Sequence, residues 1–549
     1  MTPGLAHFVA DDGDPQTWDD IVAAVLAALS AEFTVIRERG IPGTTGVPGE
    51  RVTWLDTFDW RLHKAGLTLE YVPGRGSSEL RLSSSAGLEA AQLVTGWRPS
   101  RPHLLADLAG GPVGARLAKL VAMRALIPVV ATNTVTDVYR LLNEDDKTVA
   151  RLVIDRPALE GSHSAPLPPR LAIADVRGYV SQARRAARLL AAVPGVAQGA
   201  RPPLADALRV TGRRPGDYSN KVDADINASM PAARAGAAIL LRLLDTVDAN
   251  TEGVLADIDT EFLHDLRVSV RRTRSALKLF GDALTGLTPE ELAFFAAEFK
   301  WVGDLTTPTR DLDVHLLDFE DTARGLAAAK PDDLEAFRVF LDQRRRREFR
   351  ALSRGLRSPR YRALTQEWRA KLNKIQQDTV PAEGTRTRAG RRLQVVGGGT
   401  VGLLATERTR TTFAKVAKRG AAITPDSPAE ALHDLRKRCK ELRYALEFFA
   451  PLYDSAASAK VVGDLKRLQD CLGEFQDTEV QIGEIRTLAA AMLAAHEAPA
   501  VTLLAMGEVT AGLAARQRAA RADFERKFAA FADVEGQRRM SALLRGGTA

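Results

Sequence analysis

Cysteine is almost absent from this chain, with two residues among 549, Cys439 and Cys471. Two thiols cannot build a disulfide framework, so a reducing cytoplasm is the simplest compartment. Aromatic residues make up only 6%, which is few for a protein that stacks on unpaired bases. The apolar run at 21–29 is too short to cross a bilayer, and no later run is longer without a charge. We therefore expect a cytoplasmic protein that makes no use of a membrane.

Basic charge is unevenly distributed along the sequence. The formal net charge is +7, of which residues 1–220 carry +2 and the remainder +5. Residues 344–419 alone hold 21 Lys and Arg against five carboxylates, a net charge of +16. Such a concentration favours an anionic partner at one place, although a solvated helix surface or a loose arm would show the same composition.

Two different residue patterns, one before and one after about residues 215–228, predict two domains. Up to about residue 215, short β-branched and apolar runs between Gly, Pro and Asp predict strands at 51–56, 66–72, 80–83 and 135–142, with helices at 19–33 and 174–192. From about residue 228, long Ala-, Leu- and Arg-rich segments of period 3.6 predict helices throughout. The predicted breaks between these helices are 306–308, 359, 379–384, 397–399 and 427–428.

An internal repeat is the strongest signal in the helical half. LHDLRVSVRRTRSALKLF from Leu263 recurs as LHDLRKRCKELRYALEFF from Leu432, an offset of 169. An apolar stripe with steps of three, four and seven matches in both copies and predicts one buried helix face. Its members are Leu263, Leu266, Val270, Leu277 and Phe280, then Leu432, Leu435, Cys439, Leu446 and Phe449.

A cationic stripe lies one residue further along each copy. At about 100° and 1.5 Å per residue, its members share a sector of roughly 80° over some 15 Å, beside the apolar stripe. Like charges so placed repel one another, so their repetition favours an anion site over a purely structural role. The stripe consists of His264, Arg267, Arg271 and Arg274 in the first copy, extended by Lys278, and of His433, Arg436, Lys440 and Arg443 in the second.

A second matched segment follows each copy at an offset of 166. Lys300, Asp304, Asp311, Asp313 and Val314 correspond to Lys466, Asp470, Asp477, Glu479 and Val480. We expect these carboxylates to cap a helix or to pin the arginines by ion pairs, rather than to bind a metal. Ser427, Pro428 and Glu430 also predict a capped helix start before the second copy.

Together these motifs resemble the CHAD domain, the conserved-histidine α-helical domain, over residues 228–549. The resemblance implies two similar helical bundles (about 228–384 and 400–549) around a basic channel that binds inorganic polyphosphate, and an association with polyphosphate granules. It implies no cofactor and no metal, and leaves the oligomeric state open. The polyphosphate-binding residues carried over are His264, Arg267, Arg271, Arg274, His433, Arg436, Lys440 and Arg443, with Lys278, Lys300, Arg408, Lys415, Arg419 and Lys466 as possible additions.

Residues 1–215 resemble a degenerate CYTH domain, which implies an α+β triphosphate tunnel-like β-barrel ahead of the all-α domain. The resemblance rests on residues 54–69, 138–142 and 176–179. The family's Glu-x-Glu-x-Lys strand is not found, since the candidate strand reads Phe33-Thr-Val-Ile-Arg-Glu-Arg39. A metal-dependent triphosphatase needs those carboxylates and cations. We therefore expect a binding protein rather than an enzyme.

Three alternatives remain beside polyphosphate binding. The first is residual triphosphatase activity in residues 1–215. The second takes His264-Asp265 and His433-Asp434 as metal-binding doublets of a phosphohydrolase, although arginine follows each doublet where further ligands would be needed. The third is a broader scaffold for nucleic acids or acidic proteins, which the scarcity of aromatic residues disfavours for nucleic acid.

Overall fold

The computed structural model describes residues 5–10, 15–38, 50–108, 110–161, 164–199, 203–378 and 399–546. These residues form two compact units, 1–219 and 220–549. The predicted breaks at 379–384 and 397–398, and residues 379–398 of the basic segment, lie outside the described residues.

The first unit is built on one antiparallel sheet. Its strands run in the order β10-β1-β9-β8-β7-β3-β4-β5-β6, and β2 pairs with β7 beside this path. The strands are β1 (Leu5–Ala10), β2 (Thr34–Arg37), β3 (Arg51–Thr57), β4 (Leu67–Val72), β5 (Ser78–Ser84), β6 (Gly87–Val94), β7 (Leu126–Leu142), β8 (Thr148–Leu159), β9 (Arg170–Asp175) and β10 (Val196–Gln198). The helices are α1 (Pro15–Ser30), α2 (Arg61–Lys64), α3 (Pro112–Val121), α4 (Val180–Ala191) and α5 (Pro203–Val210).

Two apolar clusters hold this sheet to its helices. In one, Val25 of α1 and Leu190 of α4 pack with Leu152 of β8. In the other, Leu117 of α3 packs with Leu69 and Leu80 of the neighbouring strands β4 and β5. The strand β1 was not predicted, and the helix predicted from 174 begins only at Val180, because residues 170–175 pair with β1 and β8. The α+β class predicted for this half is confirmed.

The second unit is helical, and it repeats one order of elements. The first half contains α6 (Ala232–Leu255), α7 (Thr260–Phe280), α8 (Pro289–Leu317), α9 (Phe319–Arg324), α10 (Glu335–Leu356) and α11 (Pro359–Gln377). The second half contains α12 (Val401–Ala421), α13 (Ala429–Phe448), α14 (Ser455–Ala494), α15 (Ala500–Ala532) and α16 (Val534–Gly546). In each half the helix with the repeated motif, α7 or α13, packs between its two sequence neighbours.

The apolar stripes of α7 and α13 are buried as their period predicts. All ten members are at most 4% exposed, including Val270 and its counterpart Cys439 at 0%. Thr273 and Leu442, which occupy matched positions on the same helix face but differ in polarity, are also buried. Asp259 begins α7 by accepting hydrogen bonds from the backbone N–H groups of Glu261 and Phe262.

The predicted break at 306–308 is wrong, because α8 continues through Pro308. A proline removes one helical hydrogen bond and crowds the carbonyl four residues earlier. Here the hydroxyls of Thr306 and Thr307 both donate to the carbonyl of Gly303, at 2.9 and 2.8 Å. Burial of Val302 and Leu312 on either side of the proline anchors both parts of the helix. Packing therefore overrides the local preference.

The predicted cap of the second motif helix is also wrong. Ser427 does not cap α13, since its hydroxyl accepts a hydrogen bond from the backbone N–H of Thr424 in the preceding turn, at 2.9 Å. The helix begins at Ala429 with no side-chain cap. None of the helices in the described ranges is long and apolar enough to cross a membrane.

A glycine on α6 provides a test of how closely α6 and α7 approach. A Cβ at Gly253 would lie 2.2 Å from the ring of Phe262, whereas a Cβ at Gly483 on α14 would meet nothing within 4 Å. We predict that Gly253→Ala lowers the free energy of unfolding by about 1–3 kcal/mol through overpacking. The control Gly483→Ala should raise it by about 0.5–1 kcal/mol, because alanine favours a helix. Urea unfolding followed by circular dichroism measures both, and equal effects would contradict the packing.

Candidate functional site

The two motif helices pack against each other, so the two cationic stripes belong to one site. The rings of Phe280, at the end of α7, and Phe449, just after α13, meet edge to face with centroids 5.6 Å apart. The guanidinium of Arg272 on α7 donates to the carboxylate of Glu447 on α13, at 3.1 Å. Glu447 also accepts from Arg443 of its own helix at 2.7 Å. One carboxylate therefore bridges the two copies.

In the first copy, Arg267 is fixed by groups on α8. Its guanidinium donates to the hydroxyl of Thr307 and, at 3.4 Å, to the carbonyl of Gly303. The Asp311 carboxylate lies 3.9 Å away. Burial, with help from Arg271, lowers the pKa of Arg267 below its usual value despite this carboxylate. Arg267 is thus oriented by the protein but only partly neutralised.

The second copy repeats this arrangement with a closer ion pair. Arg436 donates to the Asp477 carboxylate on α14 at 2.7 Å. These residues match Arg267 and Asp311 in the two repeat offsets, so the expectation that the acidic segment pins the stripe is met in both copies. Nδ1 of His433 lies 2.7 Å from Oε1 of Gln476, so the ring donates there and its Nε2 remains for another contact. His264 is half-buried on α7.

Four cations of the stripes have no carboxylate partner among the residues that the structure describes. Within the described part of the chain, no ion pair involves the side chain of Arg271, Arg274, Lys278 or Lys440. Arg271 and Lys278 are exposed, whereas Arg274 and Lys440 are half-buried. The guanidinium of Arg274 lies above Gly303 of α8, where a Cβ would sit 3.6 Å from it.

Lys440 shows that the stripes face each other. Burial first, and then the guanidinium groups of Arg436, Arg271 and Arg267, lower its pKa to about 8, although Asp477 acts in the opposite direction. Two of these arginines are on α7 and the lysine is on α13. The site therefore concentrates positive charge from both copies, and an anion would relieve the repulsion.

The bridge between Arg272 and Glu447 was missed by the sequence reasoning. A signal for it existed in the repeat itself. Arg272 corresponds to Glu441 and Lys278 to Glu447, so the two copies carry opposite charges at two matched positions. Opposite charges at matched positions are what a contact between copies would use.

In the described ranges, five of the cations predicted as possible additions to the site are not linked to the two stripes. Three are paired with carboxylates: Lys300 with Asp304 at 2.5 Å, Arg408 with Asp282 at 2.9 Å, and Arg419 with Asp434 at 3.3 Å. Lys415 and Lys466 are exposed on α12 and α14. No hydrogen bond or ion pair between described residues links these five side chains to the stripes.

The acidic segments are occupied by arginine rather than arranged for a metal. Asp313 accepts from Arg345 at 2.6 Å, and Arg345 also binds Asp257. Burial raises the pKa of the Asp313 carboxyl. Among the described residues, no group of three His, Cys, Asp or Glu could hold a metal ion.

Two half-buried carboxylates of the sheet unit have raised pKa values. Burial raises the pKa of Glu70 on β4 and of Asp155 on β8. Glu50 raises both values further, while Arg81 and Arg170 oppose the shift of Glu70 and Asp155 respectively.

The fold and site define an all-helical repeat domain with a cationic face contributed by both copies. Residues 238–486 match the family model of the CHAD domain. The chain therefore carries a CHAD domain, preceded by an antiparallel sheet unit that is consistent with the CYTH-like prediction.

Three solved structures are similar to parts of this chain. The CHAD domain of the plant Ricinus communis shares 25% identity with a TM-score of 0.47, covering 58% of this chain and 96% of its own. PptA of Streptomyces chartreusis shares 18% sequence identity with a TM-score of 0.38, and the match covers 54% of this chain and 96% of PptA. A Bacillus halodurans protein described as a candidate adenylate cyclase shares 14% sequence identity with a TM-score of 0.21. That match covers 36% of this chain and 95% of the other chain. None of the curated protein sequences matches the chain.

The titration of Lys440 tests the charge arrangement directly. We predict that its amine titrates with a midpoint near 8, that Arg271→Gln raises this midpoint, and that Asp477→Asn lowers it, because one change removes a repelling charge and the other an attracting one. Competitive acylation across a pH series, read by mass spectrometry, measures the midpoint. The control Arg324→Gln, on α9, should leave the midpoint of Lys440 unchanged. A midpoint unaltered by both site variants would show that the two stripes do not face each other.

Proposed function

We propose that the site formed by α7 and α13 binds inorganic polyphosphate. The supporting observation is that Arg271 and Lys440, on opposite copies, lie close enough for one to depress the pKa of the other, while neither has a carboxylate partner in the described structure. Holding like charges together costs folding free energy. A polyanion along both stripes would remove that repulsion.

The chemistry of the site suits a phosphate polymer without bases. Polyphosphate has about one charge per phosphate, and its oxygens suit the forked donors of arginine and the ammonium of lysine. A protein that binds single-stranded nucleic acid would need aromatic side chains beside the cations, on which the bases could stack. Tyr444, the aromatic residue nearest the second stripe, stacks on Phe448 of the same helix with centroids 6.1 Å apart. Its ring is thus already engaged.

Several finer points belong to the same proposal. We infer that the opposed stripes are the walls of a basic channel, with Arg267 and Arg436 held in place by Asp311 and Asp477. The role is binding rather than catalysis, and the CYTH-like unit has no triphosphatase activity in this proposal. Cytoplasmic localisation at polyphosphate granules would follow from the binding.

Neutralising the unpaired cations tests the proposal. We predict that Arg271→Gln/Arg274→Gln/Lys440→Gln weakens polyphosphate binding at the site between α7 and α13 at least about 100-fold, because three charges that face the polymer are lost. The slope of log affinity against log salt should fall by about two, since fewer counterions are displaced. Isothermal titration over a salt series measures both quantities.

The control for this variant removes the same charge elsewhere. Arg324→Gln/Arg526→Gln/Arg538→Gln changes three arginines on α9, α15 and α16 that are 71–75% exposed and paired within their own helices. Exposed pairs of this kind contribute little to stability. The control should bind polyphosphate within about threefold of the parent protein. Equal losses in both variants would indicate bulk attraction instead of a site.

Binding should also depend on pH through Lys440. With a free-state pKa near 8, this lysine is charged at pH 7 and mostly neutral at pH 9, and bound phosphate must raise its pKa. Affinity should therefore be highest below pH 8 and fall by up to about tenfold per pH unit as the pH rises above it. Lys440→Arg, which stays charged, should flatten this profile between pH 7 and 9. A parent profile as flat as that of the variant would remove Lys440 from the mechanism.

A further inference from the structure

A second cationic surface lies on α10, outside the repeated motif. Its members are spaced so that about 100° per residue brings all of them within a sector of roughly 100°, over about 16 Å of helix. We call it the α10 arginine face, and it consists of Arg346, Arg347, Arg350, Arg354 and Arg357, the last immediately after the helix. All five residues are exposed.

The opposite side of α10 anchors this face. Leu341, Leu352 and Leu356 are at most 2% exposed and pack inward. Arg345, which lies outside the face, binds Asp313 of α8 and Asp257 at 2.6–2.8 Å. The arginine face is thus carried on a helix held by both apolar packing and a two-carboxylate clamp.

The arginines of the face have no neutralising carboxylate among the described residues. In the described ranges no ion pair involves any of the five, and Arg357 donates only to the hydroxyl of Ser353, at 2.8 Å. The long helix α15, which packs on α14 as α10 packs on α8, differs. There Arg516 pairs with Glu474 and Arg526 with Asp523, at 2.7 and 2.6 Å.

The chemistry of the face selects the class of partner. Five adjacent arginines repel one another unless an anion is bound. A lipid surface would require apolar side chains around the cations, and Val339 is the only large apolar side chain of α10 that is exposed. Single-stranded nucleic acid would require exposed aromatic rings, and Phe349, the aromatic residue within this stretch, lies beneath the guanidinium of Arg345 at 5.6 Å. A phosphate polymer without bases fits best.

We propose that the α10 arginine face is a second binding site for polyphosphate, separate from the site between α7 and α13. This proposal rests on the proposed function, since it assigns the same ligand to a new surface. One molecule would then hold two chains, or two stretches of one long chain. Two sites on one protein raise overall affinity for a long polymer and allow the protein to cross-link separate chains.

The experiment uses the full chain and two lengths of polyphosphate. A chain of about ten phosphates reports the number of sites by isothermal titration, and long chains report cross-linking by light scattering. We expect two short chains per molecule of the parent protein and one for Arg346→Gln/Arg350→Gln/Arg354→Gln. We also expect this variant to need at least about ten times more protein to scatter light with long chains.

Two further variants separate this inference from the proposed function. The triple Gln variant at Arg271, Arg274 and Lys440 should also bind one short chain, which then occupies α10. The surface control at Arg324, Arg526 and Arg538 should bind two. Two short chains on the α10 variant, with unchanged scattering, would overturn the second site while leaving the first intact. No short chain on the parent protein would overturn both, and a second site filled by duplex DNA but not by polyphosphate would overturn this inference alone.

Discussion

Repulsion between cations on α7 and α13 is the constraint around which the helical unit is arranged. The buried apolar stripes and the contact between Phe280 and Phe449 bring the two helices together, and the cations beside those stripes must then approach each other. Asp311 and Asp477 reduce the charge at one arginine in each copy, while Glu447 joins the copies. Among the described residues, no ion pair involves Arg271, Arg274, Lys278 or Lys440, and burial together with the nearby arginines lowers the pKa of Lys440.

The apolar stripes of α7 and α13 and the ion pairs beside them could be predicted because the sequence motif occurs twice. Two copies at a fixed offset showed which positions share a helix face, and the structure buries every apolar position identified in this way. The pairing of Arg267 with Asp311 and of Arg436 with Asp477 was predictable for the same reason. Each assignment was supported twice, whereas the strand β1 and the start of α4 had single, weak local patterns to identify them.

What could not be predicted depends on tertiary packing and on small polar groups. Pro308 is typical of a helix break, yet buried residues on both sides of it keep α8 continuous. The sequence predicts Ser427 as the N-cap of α13, yet its hydroxyl accepts a hydrogen bond from the backbone N–H of Thr424 in the preceding turn. The distribution of charge was similarly ambiguous: the +16 segment contains both the arginine face of α10 and α12 residues paired with carboxylates. Composition alone cannot separate these surfaces.

The opposite charges at matched positions of the two copies also fix how the halves can assemble. Arg272 meets Glu447 because the second copy carries glutamate where the first carries Lys278. A two-fold symmetric dimer of first halves would set Arg272 against Lys278, and one of second halves would set Glu441 against Glu447. Each half is therefore complementary to the other and not to itself. Within one chain the charges at these positions attract, whereas the pairing of two identical halves would bring like charges together.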